Sequence, residues 1–145
     1  MSTWIVSILL LLFAIVAFFA YSYMKNQRSR YIISLYKKFQ KEYGDCARIS
    51  MGFFQRNPLS KSIIVMLAVG KDNRIVDAWI VTDKDMHIDA RAAREYIGMD
   101  IDKYQIEKEK QEKNYLYKQQ KQEQKTTKEK AFDIALKQIL NQDRK

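Results

Sequence analysis

The chain has 145 residues, a formal net charge of +9 at pH 7, one cysteine and one histidine. That length leaves room for one small domain. A single cysteine excludes an internal disulfide, and one Cys with one His cannot build the usual Cys/His zinc site. The basic balance suits an anionic membrane surface or a nucleic acid and does not by itself choose between them.

From Trp4 to Tyr23 the chain reads WIVSILLLLFAIVAFFAYSY, and no charged side chain occurs before Lys25. A helix of about 20 apolar residues is about 30 Å long, enough to cross a bilayer's hydrocarbon core. Ser7 and Ser22 are the polar interruptions, and each hydroxyl can return to the helix backbone. A cleavable secretory signal needs a basic n-region and an A-x-A-like site. Only the α-amino group precedes this run, and Ala14, Ala17 and Ala20 stand three apart. A helix lying flat in the interface would need a charged face that is missing. The expectation is therefore a retained single-pass anchor over 1–24.

Lys25, Arg28, Arg30, Lys37, Lys38 and Lys41 follow, with no acid until Glu42. Positive flanks stay on the cytoplasmic side. This places the N-terminus outside and the rest of the chain in the cytoplasm, at the cell (inner) membrane. Trp4 at one end, and Tyr21 and Tyr23 at the other, suit the two interfacial aromatic belts. Lys25, Arg28 and Arg30 complete the expected interface anchors.

Residues 25–44 form a basic juxtamembrane segment. Ile32, Leu35, Tyr36, Phe39 and Tyr43 recur at helical spacing within it, and Gly44, free to take positive φ, ends the helix. A small α+β domain is expected over 45–102. Ala47 to Phe53 alternates: Ala47, Ile49, Met51 and Phe53 point one way, Arg48, Ser50 and Gly52 the other, as in a half-buried edge strand. A loop with Pro58 leads to Ser62–Val69, apolar throughout and read as a central strand covered on both faces. The turn 70–74 returns the chain along Ile75–Val81, making a hairpin. Asp77 then shares a face with Ile75, Trp79 and Val81, and a carboxylate there needs a partner or an edge position. Asp83 to Ile88 reads as loop, and Asp89 as the cap of a short helix, Ala90 to Ile97, stopped by Gly98.

From Lys103 to Lys130 the composition shifts to Lys, Gln and Glu without Gly or Pro. This is a polar helix or linker. Ala131, Phe132, Ala135, Leu136, Ile139 and Leu140 then form the apolar stripe of a last amphipathic helix over 131–145, expected to dock on the sheet. The fold class is thus α+β. A transmembrane helix precedes a small antiparallel sheet of about three strands flanked by helices, with a long polar helix or linker near the C-terminus.

The stretch SIIVMLAVGKDNRIVDAWIVTD, followed by AREYIGMD, resembles the glucitol operon activator family. The shared features are an N-terminal anchor, a short Gly-containing strand, a long apolar strand and a second strand opening Arg74-Ile75-Val76-Asp77. A helix stop, Tyr96-Ile97-Gly98-Met99, follows. The resemblance covers roughly 1–102 and, more weakly, the last helix. The chain departs from the family in its longer polar stretch 103–130, and in Arg91-Ala92 where a basic-Pro pair is common. The resemblance implies a membrane-anchored positive regulator of a sugar (glucitol or sorbitol) uptake operon. Its partner would be a sugar phosphotransferase component or an operon regulator, and the family supplies no catalytic residues.

The residues add little chemistry of their own. His87 and Cys46 could in principle relay phosphate but stand in no catalytic constellation, and the four glycines make no phosphate cradle. Asp83, Asp85 and Asp89 lack the Gly and closing Glu of a calcium loop. No enzyme, cofactor or metal is expected. The two leading readings are a tethered regulatory binding module and an anchored DNA-binding transcription factor. The mixed-sign run 103–130 and the missing helix-turn-helix pattern disfavour direct nucleic-acid binding. Arg74, Asp77, Trp79 and Gly98 form the candidate partner surface.

Overall fold

The computed structural model describes residues 3–58, 60–84, 87–117 and 126–143. The chain divides into two compact units, Met1–Lys38 and Phe39–Lys145. Helix α1 (Thr3–Tyr43) is continuous through the expected span and the basic segment after it. The first unit is helical throughout its described residues, and its apolar run is exposed.

The second unit is built on a four-stranded antiparallel sheet in the order β1-β2-β3-β4. The strands are β1 (Ala47–Gln55), β2 (Ser62–Gly70), β3 (Ile75–Lys84) and β4 (His87–Ala92). A 3-10 turn (Arg94–Tyr96) leads to α2 (Ile101–Tyr117) and α3 (Thr127–Gln142). As its unbroken apolar run requires, β2 is central, with Ile64 through Gly70 buried. Polar 103–117 is helical as part of α2, while 118–125 lies outside the described residues.

The main core lies on one sheet face. Val65, Leu67, Val69, Ile75, Ala78 and Ile80 meet Ala131, Phe132, Ala135, Leu136 and Ile139 of α3, with Tyr96 and Ile101 beside them. Burying each Phe, Leu or Ile contributes about 1.5–3 kcal/mol. Phe132 stacks on Tyr96 at 4.2 Å and meets Tyr104 edge-on at 5.2 Å. A capping box starts α3: Thr126 accepts from the Glu129 amide, and Glu129 accepts from the Thr126 amide.

Four expectations are corrected. The segment read as loop and then helix, Asp83–Ile88 and Ala90–Ile97, is largely strand: β3 continues to Lys84, and β4 pairs Asp89 with Thr82 and Arg91 with Ile80. The Ala- and Arg-rich composition favours helix locally, but the open edge of β3 offers backbone partners that outweigh propensity. The sheet therefore has four strands rather than about three.

Second, the polar side of β1 is covered. Ser50 is buried and donates to the Ala135 carbonyl at 2.7 Å. Gly52 is buried too, whereas Phe53 on the other side is 51% exposed. Small side chains at 50 and 52 let α3 come close, so the helix covers the side that looked solvent-facing. Third, Asp77 does not share a face with Ile75. The register slips between Ala68 and Val69, leaving Val76 unpaired on β3. This bulge turns Ile75 to the α3 side and leaves Asp77 on the opposite one. Fourth, Gly44 does not take positive φ; among described glycines Gly98 alone does, at 83°. A Cβ on Gly44 would lie 2.4 Å from the Gln40 carbonyl oxygen, so closeness excludes a side chain there.

Helix α3 lies close against the sheet at Gly52. A Cβ there would stand 2.0 Å from the Ala131 carbonyl oxygen and 2.5 Å from the Ala135 amide nitrogen. Both are backbone atoms of α3, so the helix itself must move. Gly52→Ala is expected to destabilise the second unit by about 1–3 kcal/mol, the usual size of overpacking. Thermal unfolding of the full-length protein in detergent, followed by circular dichroism, measures this. A midpoint equal to that of the unaltered chain would contradict the contact.

Candidate functional site

The expected interface anchors lie on α1. Trp4 is 79% exposed, and Tyr21 and Tyr23 are exposed at the far end of the apolar run. Lys25 and Arg30 are exposed, and Arg28 is partly covered. Ser7 donates to the Thr3 carbonyl at 3.0 Å, so its hydroxyl is satisfied within the helix. This segment presents apolar side chains around its circumference, with a basic band following it. In water such a surface would be strongly unfavourable, since large contiguous apolar patches are rare on soluble monomers. It is compatible with a membrane span and also with a signal sequence.

The four residues of the candidate partner surface fall into two groups. Asp77 and Trp79 lie together, the indole Nε1–H donating to Asp77 Oδ2 at 3.3 Å. The same oxygen accepts from the Tyr43 hydroxyl at 2.6 Å, and Oδ1 accepts from the Ala78 amide at 2.8 Å. The partner that this carboxylate needs is therefore the last residue of α1. Tyr43 in turn packs against buried Phe39, ring centroids 5.0 Å apart.

Arg74 and Gly98 lie together around Ile75. Arg74 pairs with Asp100 as an isolated bridge, and the Gly98 amide donates to the Ile75 carbonyl at 2.8 Å. Gly98 holds the left-handed backbone with open space where a Cβ would project, so its glycine serves conformation rather than packing.

A polar junction that sequence reading does not anticipate closes the hairpin end of the sheet. The Arg48 guanidinium donates to the Asn73 side-chain oxygen and to the Gly70 carbonyl, and pairs with Asp143 just past α3. Asn73 holds left-handed backbone at φ 59°, and its side-chain amide donates to Asp102 on α2 at 2.8 Å. Asn in the turn at 70–74 is the one sequence signal that points to it, because Asn tolerates positive φ. Beside the junction is a shallow open cleft lined by Gly44, Asp45, Cys46, Ala47, Arg48, Val69 and Lys71. Among the described residues no three His, Cys, Asp or Glu side chains are grouped to hold a metal ion.

Three ionisable groups around Phe132 are shifted. Burial, with Glu95, Glu129 and Asp133 nearby, pushes the Tyr96 phenol up to about 12. Burial and Asp133 push Tyr104 up as well. Glu95 is held below its ordinary value, chiefly by its hydrogen bond from Lys128 at 2.8 Å. These groups tie the 3-10 turn and α2 to α3.

No family model matches this chain, and neither a curated protein nor a solved structure is found similar to it.

Two measurements check these contacts. Tyr43→Phe removes a hydrogen bond to a carboxylate, and such bonds contribute about 1.5–3 kcal/mol. Solvent partly reaches this one, so the low end is expected, together with a change in Trp79 fluorescence in a Trp4→Phe background. Identical melting and emission would show that the bond does not form. For Glu95, the depressed folded value means that its contribution to stability is present above the unfolded value near 4.5 and is lost as pH falls below it. Glu95→Gln mimics the protonated acid, so it should lower stability slightly at neutral pH, leave it unchanged in acid and thereby make the acid limb shallower; the change is small because the pair is exposed. An acid limb as steep as that of the parent would contradict this.

Proposed function

We propose that this chain is a single-pass inner-membrane protein whose cytoplasmic domain acts as an accessory positive regulator of a sugar uptake operon of the glucitol type. In this reading α1 anchors the chain through Trp4–Tyr23, and the basic residues from Lys25 onward hold the remainder in the cytoplasm. The second unit works by contact with another protein, either a sugar phosphotransferase component or an operon regulator. The observation that carries the reading is the complete exposure of the apolar run on α1. An apolar helix left exposed among the described residues needs an apolar medium around it. The order and spacing of the motifs at 62–83 and 93–100 support the regulatory half of the reading, and no catalytic role is assigned to any residue.

Cys46 makes the anchor and its orientation testable on the intact protein, since it is the single cysteine and is exposed. The full-length chain should stay with membranes after an alkaline wash. A membrane-impermeant maleimide should label Cys46 in inverted vesicles and not in intact cells. Recovery in the soluble fraction, or labelling from outside, would overturn the proposed placement. For the regulatory role, in-cell photo-cross-linking from the second unit should capture a phosphotransferase component or operon regulator, and deletion of the gene should lower induction of the operon. If the full-length chain instead binds one operator sequence in the presence of excess competitor DNA, the anchored transcription factor replaces this reading.

A further inference from the structure

The two edges of the sheet are finished differently. On β1, the outward-pointing Met51 amide donates to Gln138 Oε1 at 3.3 Å, and the Ile49 carbonyl accepts from Gln142 Nε2 at 3.1 Å. Two α3 side chains therefore occupy the groups that another strand would use, which is one way to protect an edge. On β4 no such guard is present among the described residues.

The backbone direction along β4 follows from one bond. The Ala93 amide donates to the Ala78 carbonyl at 2.7 Å, in the same register as the pairs Ile80–Arg91 and Thr82–Asp89. Hydrogen-bonded and non-bonded pairs alternate in an antiparallel ladder. Asp89 and Arg91 thus turn their backbone groups inward to β3, and Ile88, Ala90 and Ala92 turn theirs outward. Asp89, Arg91 and Ala92 are exposed.

The geometry points to the outer edge of β4 as a surface that pairs with β4 of a second copy of this chain, antiparallel about a twofold axis at Ala90. In that register Ala90 faces its own equivalent as a hydrogen-bonded pair, and Ile88 faces Ala92. Asp89 falls opposite the second copy's Arg91 as a non-bonded pair, the arrangement that brings side chains closest. The symmetry makes this contact twice, so each copy supplies one acid and one base to a self-complementary patch. Like charges at these two positions would repel their counterparts and bar the pairing. A strand edge this short gives a small and transient contact, suited to trapping by a covalent link. The inference is independent of the proposed regulatory role.

The test uses the full-length chain in detergent micelles, with Cys46→Ser and Ala90→Cys. Cα atoms across a hydrogen-bonded antiparallel pair are about 5.5 Å apart, within disulfide reach. Mild oxidation should give a covalent dimer. Asp89→Arg alone, or Arg91→Asp alone, should slow its formation roughly tenfold, because two repulsive pairs replace two attractive ones. The double variant D89R/R91D should restore it. All of these side chains are exposed or lie at the free edge, and circular dichroism confirms that each variant is folded. Three results would overturn the inference: no link at residue 90 in folded protein; equal linking in all four charge backgrounds; or a dimer in sedimentation that never links through residue 90.

Discussion

The second unit depends on how closely α3 can lie on β1 and β2. That closeness comes from an absence of atoms: Gly52 has no side chain, and Ala131 and Ala135 are the residues above it. With the helix seated there, the Ser50 hydroxyl reaches the Ala135 carbonyl, and Gln138 and Gln142 reach the rim of β1. Phe132 is then placed between Tyr96 and Tyr104. Arg48 can meet Asp143 only because the end of α3 lies over the hairpin turn. Packing, edge protection and the polar junction thus share one cause, and a bulkier residue at 52 would disturb them together.

Much of this was readable before the structure. The continuous apolar run of β2, the hairpin to β3 and the stripe on α3 have periods that leave little choice. The β4 segment was not readable in the same way. Alternation of Ile88, Ala90 and Ala92 with Asp89 and Arg91 is present, but alanine and arginine favour helix, and the strand forms because a neighbour's edge is open. The β1 error has a different origin. Alternation tells that two faces differ, and it does not tell which is covered when the small polar face admits a helix more closely than the large apolar one. The bulge at Val76 is equally silent in sequence, since an extra residue in a strand leaves no compositional mark.

The candidate site was only partly legible. Asp77 stood out because an acid on an apolar strand face requires an explanation, and Tyr43 supplies it from a helix that precedes the sheet. The pairing joins residues that are distant in the chain, which no local pattern can announce. Arg74 and Gly98 come together through backbone pairing around Ile75 and not through their side chains. The Thr126–Glu129 capping box, by contrast, is a four-residue signature in plain sight inside a stretch whose polarity suggests a linker.

The position of α3 in the chain has a bearing on biogenesis. Strands β1 to β3 leave the ribosome well before the helix that covers their apolar side, while α1 has emerged earlier still. Chains fold from the N-terminus during synthesis. Until α3 arrives, the half-made sheet keeps its greasy side bare, with Val65, Leu67, Ile75 and Ile80 uncovered.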